Sequence, residues 1–199
     1  PPDWPVDLTY LTDQIYSAAI TADMQRHLAA TPSDTHPLAR IPPHALRTPC
    51  PRAQPRRIPA ATAAHPARGQ RGLFATQPLA PDTFVCLYLG RVHTGAPDDT
   101  DAHSDYDVGF DAGGGLAIDA ARAGNEARFA NDFRGVAARP NAEFRDCVVP
   151  GKGEGAGVWW ERRLGVFVLS AGKAGKRKAG IAQGQEILVS YGKGFWEAR

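Results

Sequence analysis

Gly124-Asn125-Glu126-Ala127-Arg128-Phe129-Ala130-Asn131-Asp132 gathers two Asn, a Glu, an Arg and an Asp around one Phe. The run is too polar for a core strand and too rich in defined side-chain chemistry for a linker. Taken alone, it reads as a turn closed by local side-chain hydrogen bonds or as a functional site. A second run lies near the end of the chain: Val189-Ser190-Tyr191-Gly192-Lys193-Gly194-Phe195-Trp196. A Tyr at a strand end, followed by Gly and an aromatic pair, reads as core or as a lid with a polar handle.

Around these two runs the text is β-like. Gly72-Leu73-Phe74-Ala75 and Thr83-Phe84-Val85-Cys86-Leu87-Tyr88-Leu89 are short apolar runs bounded by Gly and Pro. Val108–Phe110 and Leu116–Ile118 flank the glycines 113–115 and predict a hairpin. Val158–Trp160, Gly165–Leu169 and Glu186–Ser190 are further strand candidates. Many short strands at close spacing predict a β-rich fold with a few short helices. Gly (21) and Pro (17) together imply many turns.

The N-terminal part differs. Leu8, Leu11, Ile15, Ala18, Ala19, Ala22 and Leu28 recur near a 3.6-residue period, which predicts a helix over 7–30, ended by Thr31-Pro32. Residues 40–72 hold seven Pro, seven Arg and no acidic residue. They predict an extended, solvated arm, or a contact for an acidic partner such as nucleic acid. The division expected is 1–64, helix and Pro/Arg-rich arm, and 65–199, the β-rich domain.

Charge is segregated locally. Residues 98–111 carry six Asp and no Lys or Arg, while 162–178 carry six basic residues. Both read as solvated loop charge; the sharper reading has the acidic run steering a cationic substrate. The whole chain of 199 residues has a net charge of only +2, so bulk electrostatics does not announce a nucleic-acid binder.

Three cysteines at 50, 86 and 147, with no CxxC spacing, argue against a disulfide scaffold or a zinc ribbon and favour an intracellular setting, nuclear or cytoplasmic. No run of about 18 apolar residues predicts a membrane span, and the opening residues lack the pattern of a signal peptide. No phosphate-binding glycine loop, HExxH or GxSxG occurs. The six His show no ligand spacing, so no His-based metal or triad site is expected.

Read in order, the segments resemble the SET domain of protein-lysine methyltransferases. Arg71-Gly72-Leu73-Phe74-Ala75 resembles its opening motif and Tyr88-Leu89-Gly90 the strand after it. Ser104-Asp105-Tyr106-Asp107 resembles the segment that contributes an active-site Tyr. Ile118-Asp119-Ala120, Gly124-Asn125, Arg128-Phe129-Ala130-Asn131-Asp132 and Pro140-Asn141 resemble ID-A…GN…RF-x-N-H…PN. Gly184-Gln185-Glu186-Ile187-Leu188 with Tyr191-Gly192 resembles GEEL…YG. The match spans about residues 65–197, without cysteine-rich zinc modules before or after it.

The resemblance implies several small β-sheets, with the RF-x-N segment crossing the C-terminal strand in a pseudoknot that forms the active site. It implies methyl transfer from S-adenosylmethionine, leaving S-adenosylhomocysteine, to a lysine amine in a narrow aromatic channel. No metal is implied. Tyr191 and Tyr106 would be the catalytic residues. Arg71, Gly72, Leu73, Arg128, Phe129, Asn131, Asp132 and Trp196 would hold the cofactor. Tyr106, Asp107, Val189 and Phe195 would meet the substrate. A histone tail or another basic protein is the expected partner, with a possible nucleosome contact through the basic arm and loop, and a monomer is expected. The alternative is a catalytically silent SET-like binding module. It is motivated by Asp132 in place of the usual His and by Gln70 where the first Gly of the opening motif is expected. The target lysine and the number of methyl groups added are not legible.

Overall fold

Among the described residues, a computed structural model has fifteen strands, one α-helix and two 3-10 turns. It describes residues 1, 3–30, 38–62, 64–110, 115–151, 159–172, 178–192 and 195–196. The first strands are β1 (Thr9–Tyr10), β2 (Ile15–Tyr16), β3 (Ala29–Ala30), β4 (Ala39–Arg40) and β5 (Ala53–Arg57). Then come β6 (Arg71–Ala75), β7 (Phe84–Leu87), β8 (Arg91–Thr94), β9 (Asp107–Phe110), β10 (Leu116–Asp119) and β11 (Ala123–Gly124). The last are β12 (Asn131–Asp132), β13 (Ala142–Pro150), β14 (Trp160–Val168) and β15 (Leu188–Val189). Helix α1 is Ala22–Leu28, and the 3-10 turns are Pro43–Ala45 and Glu126–Phe129.

The sheets are small: β2-β8-β10-β9, β3-β14-β13-β4 with β7 also on β14, and the pairs β1-β11, β5-β6 and β12-β15. The mainly β class with several small sheets is therefore as expected. Strand β14 pairs with β13, β7 and β3. Its segment Leu164-Gly165-Val166-Phe167-Val168 is buried throughout, which explains the unbroken apolar text. A Cβ on Gly165 would lie 2.8 Å from Phe167, so only glycine fits there. Val158 lies outside the described residues, but Trp160 and the 165–168 run belong to this one strand rather than to two. Gly113 and Gly114 of the predicted hairpin are also outside; its strands β9 and β10 pair antiparallel, Phe110 opposite Leu116.

The N-terminal helix is shorter than its periodicity predicts. Residues 9–10 and 15–16 form parallel pairs with β11 and β8, and helix begins only at Ala22. Ile15, a predicted core position, is 41% exposed, whereas its neighbour Gln14 is buried and donates from Nε2 to the Gly90 carbonyl at 2.9 Å. Tertiary pairing has overridden a pattern that helix and strand share over so few apolar residues. The Thr21 hydroxyl caps α1 by accepting from Met24 N–H. Thr31-Pro32 lies outside the described residues.

The Pro/Arg segment is extended at β5, but it also holds the 3-10 turn Pro43–Ala45 and turns between 60 and 69, and much of it is not solvated. Cys50, Ala53 and Ile58 are buried, and β5 pairs antiparallel with β6 along its whole length. Pro55 is tolerated because β5 is an edge strand. Every strand before residue 64 pairs with one after it. No helix among the described residues is long and apolar enough to cross a membrane.

Local charge also has structural work. Asp99 is buried and accepts from Ser17 Oγ (2.8 Å) and Thr94 N–H (2.9 Å) beside Arg91. Those hydrogen bonds and the Arg91 charge outweigh burial and pull its carboxyl down to about 2. Arg162 and Arg163 lie in β14 rather than in a loop; Lys173, Lys176 and Arg177 are outside the described residues.

The C-terminal strand is gripped on both edges. Strand β15 runs parallel to β12, with Phe133 N–H donating to the Val189 carbonyl at 3.0 Å. On its other edge, Asn141 N–H donates to the Leu188 carbonyl (3.0 Å) and Leu188 N–H donates to Asn141 Oδ1 (2.8 Å). Asn141 Nδ2 also donates to the Glu186 carbonyl at 2.8 Å. The strand thus runs between residues 131–133 and Asn141. Asn141→Ala removes two side-chain bonds and strands their backbone partners, so urea unfolding should show a loss of about 2–3 kcal/mol.

Burial also sets an alkaline limit. It is the largest cause raising the Tyr10, Tyr16 and Tyr88 hydroxyls above their ordinary 10.0, Tyr16 to about 12. The unfolded chain therefore loses these protons first. Their contribution to stability is complete below pH 10 and lost as pH climbs through the raised values. The urea midpoint should fall between pH 9 and pH 11, whereas an unchanged midpoint would contradict this burial.

Candidate active site

Of the clefts beside the crossing, two share a wall. The larger, about 560 Å³, is lined by residues that include His65, Arg71, Phe129, Asn131, Asp132 and Trp196. The smaller, about 330 Å³, is lined by residues that include Tyr88, Asp107, Phe144, Ala130 and Ser190. Asp105, Tyr106, Arg128, Tyr191 and Phe195 line both. The two clefts therefore meet at a pair of tyrosines.

The polar run 124–132 builds this junction. Asn125 is buried, donates from Nδ2 to the Leu87 carbonyl (2.8 Å) and accepts Leu89 N–H (3.1 Å), which ties the run to the sheets. The 3-10 turn then presents Arg128, whose guanidinium carbon stands 3.9 Å from the Tyr106 ring centroid. Its Nε donates to the Ala120 carbonyl at 2.8 Å, so the cation is fixed while it braces the ring. Tyr88 Oη donates to the Tyr106 carbonyl at 2.7 Å, fixing the same residue from behind.

Tyr191 is positioned by the crossing itself. Its N–H donates to Asp132 Oδ2 (2.8 Å), its hydroxyl donates to the Ala130 carbonyl (3.0 Å), and its ring meets Phe195 edge-on. Burial, followed by Tyr106 and Asp132, holds its hydroxyl well above the ordinary value, so it stays neutral at physiological pH. It can donate or accept a hydrogen bond there, but it is no phenolate base.

Asp132, which the motif resemblance marked as a departure, is a clamp. It is buried, accepts Arg134 N–H (2.8 Å) and Tyr191 N–H, pairs with the Arg134 guanidinium (3.0 Å), and takes Trp196 Nε1–H at 3.4 Å. One carboxylate thereby joins the crossing to the aromatic end of the chain.

Asn131 is held by a carboxylate that sequence reasoning did not single out as a site residue. Its Nδ2 donates to Glu186 Oε1 (2.8 Å) and to the Arg71 carbonyl (3.2 Å). Glu186 Oε2 lies 2.9 Å from His65 Nε2, and both side chains are buried. A Cβ on residue 72 would lie 2.3 Å from Glu186 Oε1, so Gly72 is required for this close approach. Glu186 stood within a quoted motif, but nothing in the text signals that His65, 121 residues away, completes the pair.

The structure brings Arg71, Arg128, Phe129, Asn131, Asp132, Trp196, Tyr106, Tyr191 and Phe195 around the larger cleft. Gly72 and Leu73 lie in β6 behind that wall, with Leu73 fully buried. Asp107 lines the smaller cleft, with its carboxylate 3.0 Å from the buried His93 Nε2. Val189 is fully buried and lines neither cleft. Lys193 and Gly194 are outside the described residues. Among those described, no cluster of three or more metal-ligating side chains occurs.

No protein-family model matches the sequence, and no curated protein matches it. Among solved structures, the chain is similar to the crystal structure of KRYPTONITE in complex with mCHH DNA, H3(1-15) peptide and SAH. Sequence identity is 22% and the TM-score 0.42; the match covers 64% of this chain and 22% of that one.

Proposed function

We propose that this chain is an S-adenosylmethionine-dependent protein-lysine N-methyltransferase. The observation that carries the reading is the meeting of two clefts at Tyr106 and Tyr191, one able to take a cofactor and the other a side chain. The ordered motif resemblance across residues 65–197 supports it.

The residues of the larger cleft fit the cofactor. Arg71 Nε is buried with no partner among the described residues, a donor suited to a carboxylate. Among the described residues the Asn131 side chain bonds through Nδ2, which leaves Oδ1 as an acceptor for an ammonium group. Phe129 and Trp196 offer apolar surface for a purine ring. When bound, S-adenosylmethionine supplies a methyl group already activated on a sulfonium.

What the protein must add is alignment and an uncharged amine. A free lysine at pH 7 is neutral in only ~4 of 10,000 molecules, a cost of about 4.6 kcal/mol. In the smaller cleft, Tyr88, Phe144 and Tyr106 desolvate the ammonium and lower that cost. Asp105 and Asp107 lie on the same wall and favour approach of a cationic chain. A neutral Tyr191 hydroxyl, held against the Ala130 carbonyl, orients the nitrogen lone pair without competing for its proton. The substrate class is a lysine on a basic protein, with a histone tail as the first candidate. Arg47, Arg56, Arg57 and Arg68 are exposed and offer a contact for nucleic acid near such a substrate.

The test is incubation with methyl-labelled S-adenosylmethionine and core histones or whole-cell extract. The wild type should label a protein band, and Tyr191→Phe should lower the rate by about 100-fold or more while cofactor affinity stays within a few-fold. Cofactor binding with no transfer to either pool would favour the silent module. Unchanged transfer by Tyr191→Phe would remove the role given to that hydroxyl.

A further inference from the structure

On the far side of the 3-10 turn from the two clefts that meet at the tyrosines, another cavity of about 150 Å³ shares no residue with either. Glu126 lines it and is 1% exposed. Its Oε1 accepts the Tyr10 hydroxyl (2.9 Å) and Cys50 N–H (3.0 Å). Its Oε2 is buried and has no partner among the described residues, and the carboxylate forms no ion pair there. Across the same cavity lies Arg163, 6% exposed, whose Nη atoms engage Tyr16, Glu161 and Asp13. Its Nε is likewise buried and unpartnered among the described residues. Between them the wall is apolar, from Leu46, Phe84, Leu87 and Val149, while Arg47 and Thr48 at the rim are exposed.

A buried carboxylate with a free oxygen and no cation is unfavourable unless something pairs with it. Tyr10 and Cys50 occupy only one of the two carboxylate oxygens, so the fold itself accounts for Oε1 and leaves Oε2 without a donor among the described residues. The two unmatched atoms specify complementary groups: a positively charged N–H donor for Glu126 Oε2 and an acceptor for Arg163 Nε. Glu161 and Asp13 already balance the Arg163 charge, so the acceptor is uncharged, a hydroxyl or carbonyl oxygen. The volume, on the order of five water molecules, limits the ligand to a few carbons. We propose that this cavity binds a small organic ammonium ion that carries a neutral oxygen acceptor, the chemistry of a short amino alcohol. Asn125 and Glu126 adjoin Arg128 and Phe129 of the larger cleft, so a ligand here would touch the turn that shapes it from behind.

The experiment is calorimetric titration of the full chain with 3-aminopropan-1-ol, with 1-butanol as the uncharged control. Saturable binding of the amino alcohol and none of the alcohol is expected, with affinity lower by about tenfold or more in Glu126→Gln. Ala45→Trp, which narrows the cavity and leaves Glu126 in place, should also abolish binding, and it decides the matter if Glu126→Gln does not fold. Absence of saturable binding at millimolar concentrations, equal binding of 1-butanol, or unchanged affinity in either folded variant would overturn the proposal.

Discussion

Two residues of strand, Leu188 and Val189, are held between β12 and Asn141, and the site is organised around that grip. A parallel pair only two residues long is weak alone. Here it is backed by Asn141, whose side-chain amide bonds the Glu186 carbonyl and the Leu188 N–H and whose backbone N–H bonds the Leu188 carbonyl, and by Asp132, which takes the Tyr191 N–H just beyond the strand. The same backbone that is pinned at 131–133 carries Asn131 to one cleft, and the backbone pinned at 188–189 delivers Tyr191 to the junction of both. Loosening the crossing would move both groups at once.

Around the crossing, buried carboxylates position rather than react. Asp132 ties Tyr191, Arg134 and Trp196 together; Glu186 ties Asn131 to His65. In each case the acid accepts hydrogen bonds from several parts of the chain far apart in sequence, which is how a site made of loops and short strands keeps its geometry. The tyrosine at the junction is kept neutral by burial. That suits chemistry in which the protein orients groups and excludes water instead of supplying a nucleophile.

Much of this was legible in the residues, and the exceptions have physical causes. The mainly β class and β6, β7, β9 and β10 follow from short apolar runs between turn residues. The ordered motifs contain Arg71, Arg128, Phe129, Asn131 and Asp132, which line the larger cleft, but also Gly72 and Leu73, which do not, and they miss His65 and Arg134. The 7–30 helix failed because two-residue strands carry no periodicity of their own; their pairing partners, Arg91-Val92 and Ala123-Gly124, are remote in sequence. Proline density signalled the extended path of 53–57, but it did not reveal the 3-10 turn at Pro43–Ala45 or that β6 offers that path a partner. Asp132 read as a departure from the resembled motif, which has a ring there; the carboxylate has a job of its own, visible only when Tyr191 N–H is 2.8 Å away. His65 and Glu186 escaped for the same reason, as a lone histidine in a proline-rich stretch gives no sign of its partner.

The central claim is that the crossing builds a cofactor site whose two halves are residues 130–133 and 187–192. Hydrogen–deuterium exchange of the full chain, with and without S-adenosylhomocysteine, tests it directly. The account predicts that the ligand slows exchange in both segments together and in β6, while β9 and β10 at the far side of the smaller cleft change little. Binding that leaves the crossing segments unaltered, or no binding at all, would contradict it.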